Sequence, residues 1–461
     1  MMRIADIRGR CSTLATYLRA HTALVQLIGV VICIPPLIFP THVPAWIVHG
    51  ALVCLVLLLF VGYVLAGRCI VRTPVDIPIL LLLLLLPVAI AITLDRDLTL
   101  LHVYKAVGSV ALFYGIVGVI EEEAWFGLSA LAISVLGVVL AVLTLLGTEW
   151  PAAKLPLPLF DLYQMFPRRF RAFWNPTGFN SNIAGGTLAM LLPVPIAYLS
   201  FDRRTRVRLG ALLGVGVVGL VLLLTQSRGA MVALAAGIMM MLIARNRRWL
   251  VLTVGLAIIC ALALQFGGVD NFLAAVLDTA AGSAIHSLEG RLELWSRGWM
   301  MLQDFPLTGI GFGTVVKVMP VLYPTFVVSN DAGIEHVHNA CLEVGVDLGF
   351  PGLIAALAFF LGLLYLSWRA ARRASGTRLE PLALGMLGVL VVFAVHGLTD
   401  NLTFYAKGHF IAWALFGVAV GVGMHFVHGR TNNVRGRTNN VHGRMNNVRG
   451  DGWPAVDEAS E

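Results

Sequence analysis

The sequence predicts an all-α polytopic membrane protein. Of its 461 residues, 58% are hydrophobic and only 13% are charged, whereas about a quarter of the residues in soluble proteins are charged. The mean hydropathy is +0.84, and apolar runs long enough for helices of roughly 20 residues recur along the chain. Composition and run length together exclude a soluble globular domain.

The apolar runs predict about 12 transmembrane helices. They begin near Leu24, Ala45, Val75, Val103, Phe126, Asn180, Leu209, Ala230, Leu250, Gly352, Leu382 and His409. An even number of spans places both termini on the same side of the membrane. The first run precedes Pro35-Pro36 and a second apolar run, without a small-residue cleavage pattern. We therefore interpret it as an uncleaved helix and not as a signal peptide.

The basic residues predict the orientation. If the N-terminus is cytoplasmic, 22 of the 33 Lys and Arg residues lie on the cytoplasmic side, which is the side that such residues favour. The turn at Glu121-Glu122-Glu123 lacks a positive charge, but acidic residues weigh little in this rule. A large loop at about 267–350, between the ninth and tenth helices, is then periplasmic if the membrane is a bacterial inner membrane.

The end of the chain differs in composition from the rest. After His428 a Gly-Arg-Thr-Asn-Asn-Val pattern recurs with a seven-residue period, and it lacks the apolar a and d positions that a coiled coil requires. We expect a membrane domain at 1–428 and a disordered cytoplasmic tail at 429–461. The net charge of +8 is spread over many cytoplasmic turns, so it does not indicate a nucleic-acid surface.

The loop at 267–350 is the only long polar stretch between spans, and it concentrates ionisable side chains. It contains Gly290-Arg291-Leu-Glu-Leu-Trp295 early and Glu335-His336-Val-His338-Asn339 late. A charge placed within a span would cost about 2.5–3.5 kcal/mol at the bilayer centre. We therefore expect the chemistry of this protein in the loop.

Arg228 lies in the short turn between two apolar runs, Leu224-Thr-Gln-Ser-Arg-Gly-Ala230. Each run has about 16 residues, or roughly 24 Å of helix against a hydrocarbon core of about 30 Å. The turn is therefore expected below the outer surface, and no Asp or Glu lies in the adjacent turns. A bound phosphate would be a suitable partner, because guanidinium donates two parallel hydrogen bonds to its oxygens. A side chain that snorkels to the interface is the alternative.

Arg291 and Arg297 flank an amphipathic segment, Leu292–Leu302, which we expect to form a helix along the outer interface. Because they are six residues apart, they do not share a helical face, and we expect only Arg291 to face a ligand. The loop Trp150–Phe179 combines basic and aromatic side chains, a mixture suited to an anionic amphiphile but also typical of an aromatic belt. Its candidate residues are Arg168, Arg169 and Arg171.

His336 and His338 are two residues apart, so they face the same way if the loop is extended. A neutral imidazole near pH 7 is a suitable general base for a hydroxyl proton. A metal site with Glu335 or Glu343 as third ligand is a weaker interpretation, and a histidine that only orders the loop remains open. His396 and Asp400 end the eleventh run on the same side, where Asp400 either orients a catalytic group or caps the turn. The Gly309-Ile-Gly-Phe-Gly313 segment predicts a tight turn, because the strand and helix of a dinucleotide motif are missing.

Several of these motifs together resemble the O-antigen ligase and polymerase superfamily. They are Ser227-Arg-Gly-Ala230, Arg291 with Trp295, Pro306-Leu-Thr-Gly-Ile-Gly-Phe-Gly313, His338-Asn-Ala-Cys-Leu-Glu343 and Gly349-Phe-Pro-Gly-Leu353. Their order and spacing agree over roughly residues 175–400, as do the span count and the loop before the tenth helix. Within the superfamily the chain looks most like a lipopolysaccharide O-antigen ligase of a Gram-negative inner membrane.

The resemblance implies a GT-C-type fold and a metal-independent, inverting glycosyltransferase without a cofactor. The donor would be O-antigen linked to undecaprenyl diphosphate, and the acceptor a sugar hydroxyl of the lipid A core. His338 would be the base, and Arg228 and Arg291 would hold the diphosphate, with membrane lipids around them and no nucleic acid involved. Residues expected to support the base or contact the acceptor are Asn339, Glu343, Asp400, His336, Arg168, Arg169 and Arg171.

Other functions stay open from the sequence. A polymerase that joins repeat units on the carrier, or a protein O-oligosaccharyltransferase, would use similar residues. The chain lacks the additional C-terminal periplasmic region of some protein-glycosylating relatives, which favours the ligase. A lipid-linked glycan transporter fits the span count, but transporters generally carry ionisable residues near the bilayer midplane, and these spans have almost none.

Overall fold

The computed structural model describes residues 21–39, 43–67, 69–120, 124–148, 180–251, 253–255, 288–329, 334–401 and 409–427. These residues form an all-helical protein. The helices are α1 (Thr22–Ile38), α2 (Ala45–Ala66), α3 (Asp76–Ile92), α4 (Arg96–Val119), α5 (Ala124–Gly147), α6 (Ser181–Leu191), α7 (Pro193–Phe201), α8 (Thr205–Thr225), α9 (Arg228–Arg245), α10 (Leu288–Asp304), α11 (Val315–Leu322), α12 (Ala340–Arg373), α13 (Glu380–Gly397) and α14 (His409–Val427).

The described residues confirm the predicted class, an all-α polytopic membrane protein. Among the described residues, nine helices are long and apolar enough to cross a membrane, with α6 and α7 counted as one span, and α1 and α3 are shorter apolar helices. The run near Leu250 lies largely outside the described residues, so the total of about 12 remains a prediction. The tail at 429–461 and the basic residues Arg168, Arg169 and Arg171 also lie outside the described residues.

Helix ends follow the local sequence. Asn339 caps α12 because its side-chain Oδ1 accepts the backbone N–H groups of Cys341 and Leu342, which have no partner within the helix. Asp95 caps α4 in the same way, accepting the N–H of Leu98 at 3.0 Å. At the other end of α8, Gln226 adopts the left-handed conformation (φ 52°) that terminates the helix. The next helix, α9, then begins at Arg228.

Helix α13 lies at the centre of the membrane part, because nearly all of its residues are buried. It packs on α9, α7, α12 and α6. Its approach to α9 is close, since a Cβ added at Gly237 would lie 2.7 Å from Val392 Cγ2 and 2.9 Å from the carbonyl oxygen of Gly388. This close contact holds the first residue of α9 near the last turn of α13.

Helix α12 begins earlier than the apolar run near Gly352 predicts. It starts at Ala340 and contains a break at Gly349, where φ is 70° and the backbone N–H of Phe350 donates to the carbonyl of Pro306 at 2.7 Å. The residues before the break are amphipathic and the residues after it form an apolar span. Glycine is suited to the break because it adopts positive φ without steric cost.

Helices α10 and α11 pack together on the first part of α12 and form a second hydrophobic core. Its buried side chains include Leu294, Met301, Val315, Val318, Met319, Val337 and Val346. Glu293 fixes the segment after α11, because its carboxylate accepts the N–H groups of Phe326 (2.6 Å), Val327 (2.9 Å) and Val328 (3.0 Å). The segment that carries His336 and His338 is thereby built on a packed scaffold.

The Gly309–Gly313 segment forms the tight turn predicted from its glycines. Gly309, Gly311 and Gly313 have φ of 68°, 100° and 81°, a region that other residues adopt only with strain. The turn lies against α12, because the N–H of Gly313 donates to Asp347 Oδ1 at 3.0 Å. A Cβ at Gly313 would overlap the imidazole of His102 on α4.

Candidate active site

The candidate site lies where four elements meet: the start of α9, the first turn of α10, the residues before α12 and the turn after α13. These elements supply Arg228, Arg291, His338 and Asp400. All four positions were predicted from the sequence, where neighbouring motifs are separated by about 50–60 residues. The contacts described below show that the fold brings them together.

His338 is held in an unusual backbone conformation. Its φ is 55°, which is uncommon for a residue with a Cβ. Its carbonyl oxygen accepts the indole N–H of Trp295 at 3.3 Å, and its backbone N–H donates to Nδ1 of His336 at 3.1 Å. Backbone strain of this kind persists where the surroundings determine the conformation, and it is concentrated at functional sites. The imidazole of His338 remains partly accessible, with 13% of the side chain exposed.

Asp400 is the anion of the site. Its Oδ1 accepts the N–H of Asn401 at 2.8 Å and lies 3.6 Å from Nδ1 of His338. Burial raises the pKa of this carboxyl, but the hydrogen bond and charge of His338 and the charges of His396 and His336 outweigh burial and lower the pKa below its usual range. Asp400 is therefore a carboxylate at neutral pH, suited to orient an imidazole and to stabilise its protonated form.

His336 is neutral in this arrangement. Burial, together with the charge of His338, lowers the pKa of His336 to about 3, although Asp400 acts in the opposite direction. Because Nδ1 accepts the N–H of His338, the proton of the neutral ring lies on Nε2. Its ring centroid lies 4.1 Å from that of His338. His336 thus supports the backbone and ring of His338.

Arg291 and Arg228 give the site its positive charge. Burial lowers the pKa of Arg291, the charge of Asp400 raises it, and the charge of Arg228 lowers it. An arginine remains protonated in spite of such effects, so Arg291 is a cation that interacts with the carboxylate of Asp400 and with the guanidinium of Arg228. The Nε of Arg291 is buried and has no hydrogen-bond partner among the described residues. The site is therefore suited to an anion.

Arg297 points elsewhere, as the six-residue spacing predicted. Its guanidinium carbon lies 5.5 Å from the ring centroid of Phe326, and Nη1 lies 3.6 Å from the sulfur of Met300. It forms a cation–π contact at the surface of α10.

Glu343 and Asn339 support the backbone next to His338. Glu343 is fully buried, and its Oε2 accepts the N–H of Val337 at 2.6 Å. Asn339 caps α12 and also donates from Nδ2 to the carbonyl of Leu398 at 3.3 Å. That contact joins the turn after α13 to the start of α12. Glu343 therefore holds the backbone before His338, and Asn339 holds the start of α12 next to the turn that carries Asp400.

One buried residue of the site was not among the predicted site residues. His396 lies one helical turn before Asp400, and its Nε2 is 4.0 Å from Asp400 Oδ2. The sequence placed it next to Asp400, and the four-residue spacing was a usable signal. Its burial against α6 and α9 was not visible, because those contacts join residues that are far apart in the chain.

His336, His338 and Asp400 also have the composition of a metal site, since one potential ligand atom from each lies within 4.8 Å of the others. Asp400 takes the place that the sequence analysis gave to Glu335 or Glu343. The surroundings oppose a cation, however, because Arg291 interacts with Asp400 and lies close enough to Arg228 for the two positive charges to act on each other. The electrostatics favour a bound anion instead.

The comparison with known families indicates which kind of protein this segment resembles. The sequence model of the O-antigen ligase family matches residues 209–357. The matched segment is about a third of the chain and supports the predicted resemblance to the O-antigen ligase superfamily. The matched segment contains Arg228, Arg291, His336, His338 and Glu343. The match is to the same family that the sequence motifs resemble.

Other comparisons are more distant. No characterised protein sequence matches this chain. One solved chain, from "Structural coordination of polymerization and crosslinking by a peptidoglycan synthase complex", is 19% identical with a TM-score of 0.40. That alignment covers 76% of this chain and 96% of the other. A similarity of this size carries no functional argument.

Proposed function

We propose that the protein is an O-antigen ligase that transfers O-antigen from undecaprenyl diphosphate to the lipid A core. The observation that carries the proposal is the partly buried pair Arg228 and Arg291 together with the His338–Asp400 pair, which Arg291 joins through its interaction with Asp400. The first pair is suited to hold a diphosphate, and the second is suited to take a proton from a hydroxyl. The family match supports the class of reaction.

The transfer follows from the roles of these groups. The arginines neutralise the diphosphate and stabilise the charge that grows on its oxygen as the glycosidic bond breaks. His338 accepts the proton of the acceptor hydroxyl while the hydroxyl oxygen forms a bond to the anomeric carbon. The electron pair of the broken C–O bond leaves with undecaprenyl diphosphate. Attack from the side opposite the leaving group inverts the configuration at that carbon.

Asp400 would assist by stabilising the imidazolium that forms on His338. The proton balance closes when His338 releases its proton to water after the products leave. The two guanidinium groups supply the charge that a divalent ion would otherwise supply to the leaving group, so we propose a metal-independent reaction without a cofactor.

The proposal also covers the setting of the reaction. We infer a GT-C-type fold with about 12 spans in a Gram-negative inner membrane. In this arrangement the 267–350 segment is periplasmic and the 429–461 tail is cytoplasmic. Outside the cytoplasm nucleotide sugars are absent, so a donor must arrive activated on a lipid. Arg168, Arg169 and Arg171 remain candidates for acceptor or lipid-headgroup contact.

The experiment that tests the proposal locates the product. Purified protein in nanodiscs would receive undecaprenyl diphosphate-linked O-antigen, lipid A core and excess chelator, and the glycan would be identified by mass spectrometry. We expect O-antigen on the lipid A core. Longer glycan that remains on the carrier would indicate a polymerase, and glycan on an added acceptor protein would indicate an oligosaccharyltransferase. Activity that requires added Mg²⁺ would contradict the metal-independent mechanism.

A further inference from the structure

We infer that His396 is a positioning residue, which holds the carboxylate of Asp400 in the orientation that serves His338. This inference rests on the proposed function and assigns a role that the mechanism above does not use. The two carboxylate oxygens of Asp400 face different histidines. Oδ1 lies 3.6 Å from Nδ1 of His338, and Oδ2 lies 4.0 Å from Nε2 of His396.

The two helices next to His396 leave room for its ring. On α6, a Cβ at Gly186 would overlap Nε2 of His396. On α9, a Cβ at Gly229 would lie 3.7 Å from Nδ1 of the same ring and 3.1 Å from Oγ1 of Thr399. His396 therefore occupies a space that two glycines keep open, and only 2% of its side chain is exposed.

A purely structural role does not explain an imidazole at this place. The ring of His396 interacts with the backbone of Gly229, but neither ring nitrogen makes a hydrogen bond of good geometry among the described residues, and an unsatisfied buried polar group costs about 1–3 kcal/mol. An apolar side chain of similar size would fill the space without that cost. The charged side chain that faces the ring of His396 is Asp400, through its Oδ2.

The orientation of Asp400 needs such a contact because competing cations are near. Arg291 acts on the same carboxylate, and a carboxylate that turned towards a guanidinium would leave His338. The backbone already ties the two residues together, since the N–H of Asp400 donates to the carbonyl of His396 at 3.0 Å. The imidazole of His396, 4.0 Å from Oδ2, is a polar neighbour that favours the side-chain rotation in which Oδ1 faces His338.

The test compares His396→Leu with His396→Gln in the glycan-transfer assay of the purified protein. Leucine has about the same volume without a donor, whereas the Nε2 of glutamine can replace the Nε2 of histidine. We expect His396→Leu to lower kcat about 10-fold or more, to leave KM for the lipid-linked donor within about two-fold, and to unfold at an equal or higher temperature. We expect His396→Gln to recover a large part of kcat.

Gly186→Ala is expected to lower kcat in the same way, because its Cβ displaces the ring of His396. The matched control is Gly214→Ala on α8, where an added Cβ has nothing within 4 Å, and its kcat should equal that of the wild type. The inference is overturned if His396→Leu keeps full kcat, or if it unfolds at a lower temperature and glutamine restores nothing. A wild-type protein that transfers no glycan overturns the proposed function itself, and this inference with it.

Discussion

At the scale of single residues, the site is distinguished by its charges. The partly buried arginines Arg228 and Arg291 lie where α9, α10 and α13 meet, and Arg291 interacts with the buried carboxylate of Asp400. Removing a cation from water is costly unless an opposite charge compensates it, and an anionic ligand can supply that charge. The protein therefore gains from an anionic ligand, which makes the two arginines the residues whose chemistry is easiest to test.

The first prediction concerns Arg228 and Arg291. Lysine keeps the charge but loses the two parallel donors of guanidinium. We expect Arg228→Lys and Arg291→Lys each to lower transfer by about 10²–10³-fold, with normal amounts of inserted protein. Arg297→Lys is the matched control, because Arg297 contacts Phe326 at the surface, and its activity should stay close to that of the wild type. Near-normal transfer by Arg228→Lys would indicate an interfacial anchor instead.

The second prediction concerns pH and His336. Its pKa is about 3 in the folded protein, against 6.5 for an unperturbed histidine. Between these pH values the unfolded chain binds more protons than the folded protein. The contribution of neutral His336 to the free energy of unfolding is therefore complete above pH 6.5 and is lost as the pH falls. The slope from this one group reaches about 1.4 kcal/mol per pH unit.

Thermal unfolding between pH 7 and pH 4.5 would measure this effect. His336→Asn retains an acceptor for the N–H of His338 and does not titrate, so its unfolding temperature should decrease less steeply than that of the wild type. Parallel curves for the two proteins would show that His336 is not buried in its neutral form.

The sequence was informative about site residues that carry chemistry and less so about those that support them. Arg228, Arg291, His338 and Asp400 could be predicted, because charge and imidazole at such positions need a functional reason. The helix-capping role of Asn339 and the backbone contact of Glu343 could not, because each depends on where the chain turns. His396 was recognisable by its spacing from Asp400, but its glycine neighbours come from two other helices.

At the scale of elements, the Gly309–Gly313 turn connects α10 and α11 to the membrane helices. It lies between Asp347 of α12 and His102 of α4. The turn was predictable from its glycines, because positive φ is a local property. Its packing partners were not, because residues 102 and 347 are far apart in the sequence.

The third prediction tests this turn. Gly313→Ala places a Cβ against His102 and retains a φ of 81°. We expect clearly less folded protein and a lower unfolding temperature, measured by fluorescence-detected gel filtration after heating. Gly376→Ala has a similar φ of 78° but nothing within 4 Å of the added Cβ, so it should show only the smaller cost of backbone strain. Equal behaviour of the two variants would mean that the contact with His102 does not matter.

At the scale of the whole molecule, the orientation of the helices decides on which side of the membrane the site lies. The distribution of 22 of 33 basic residues predicts cytoplasmic termini. The apolar class of the chain was predictable from its composition, because the bilayer requires long apolar helices. The number of spans is harder to predict, because α6 and α7 form one span and α12 continues past its break at Gly349.

The fourth prediction is topological. A single cysteine at Ser329 should react with a membrane-impermeant maleimide in spheroplasts, whereas one at Ser375, after α12, should react only once the membrane is permeabilised. The background would be a variant without the six native cysteines that retains activity. Labelling of Ser375→Cys but not Ser329→Cys would reverse the orientation and place the site in the cytoplasm.

The transfer rate of His338→Ala at saturating lipid-linked donor measures most directly whether His338 is the general base. We expect the transfer rate to fall by about 10²–10⁴-fold, which is typical for removal of a general base. Donor binding through Arg228 and Arg291 and the amount of folded protein should be unchanged. A His338→Ala protein that transfers O-antigen within a few-fold of the wild-type rate would contradict the mechanism, because no proton would then need to pass to His338.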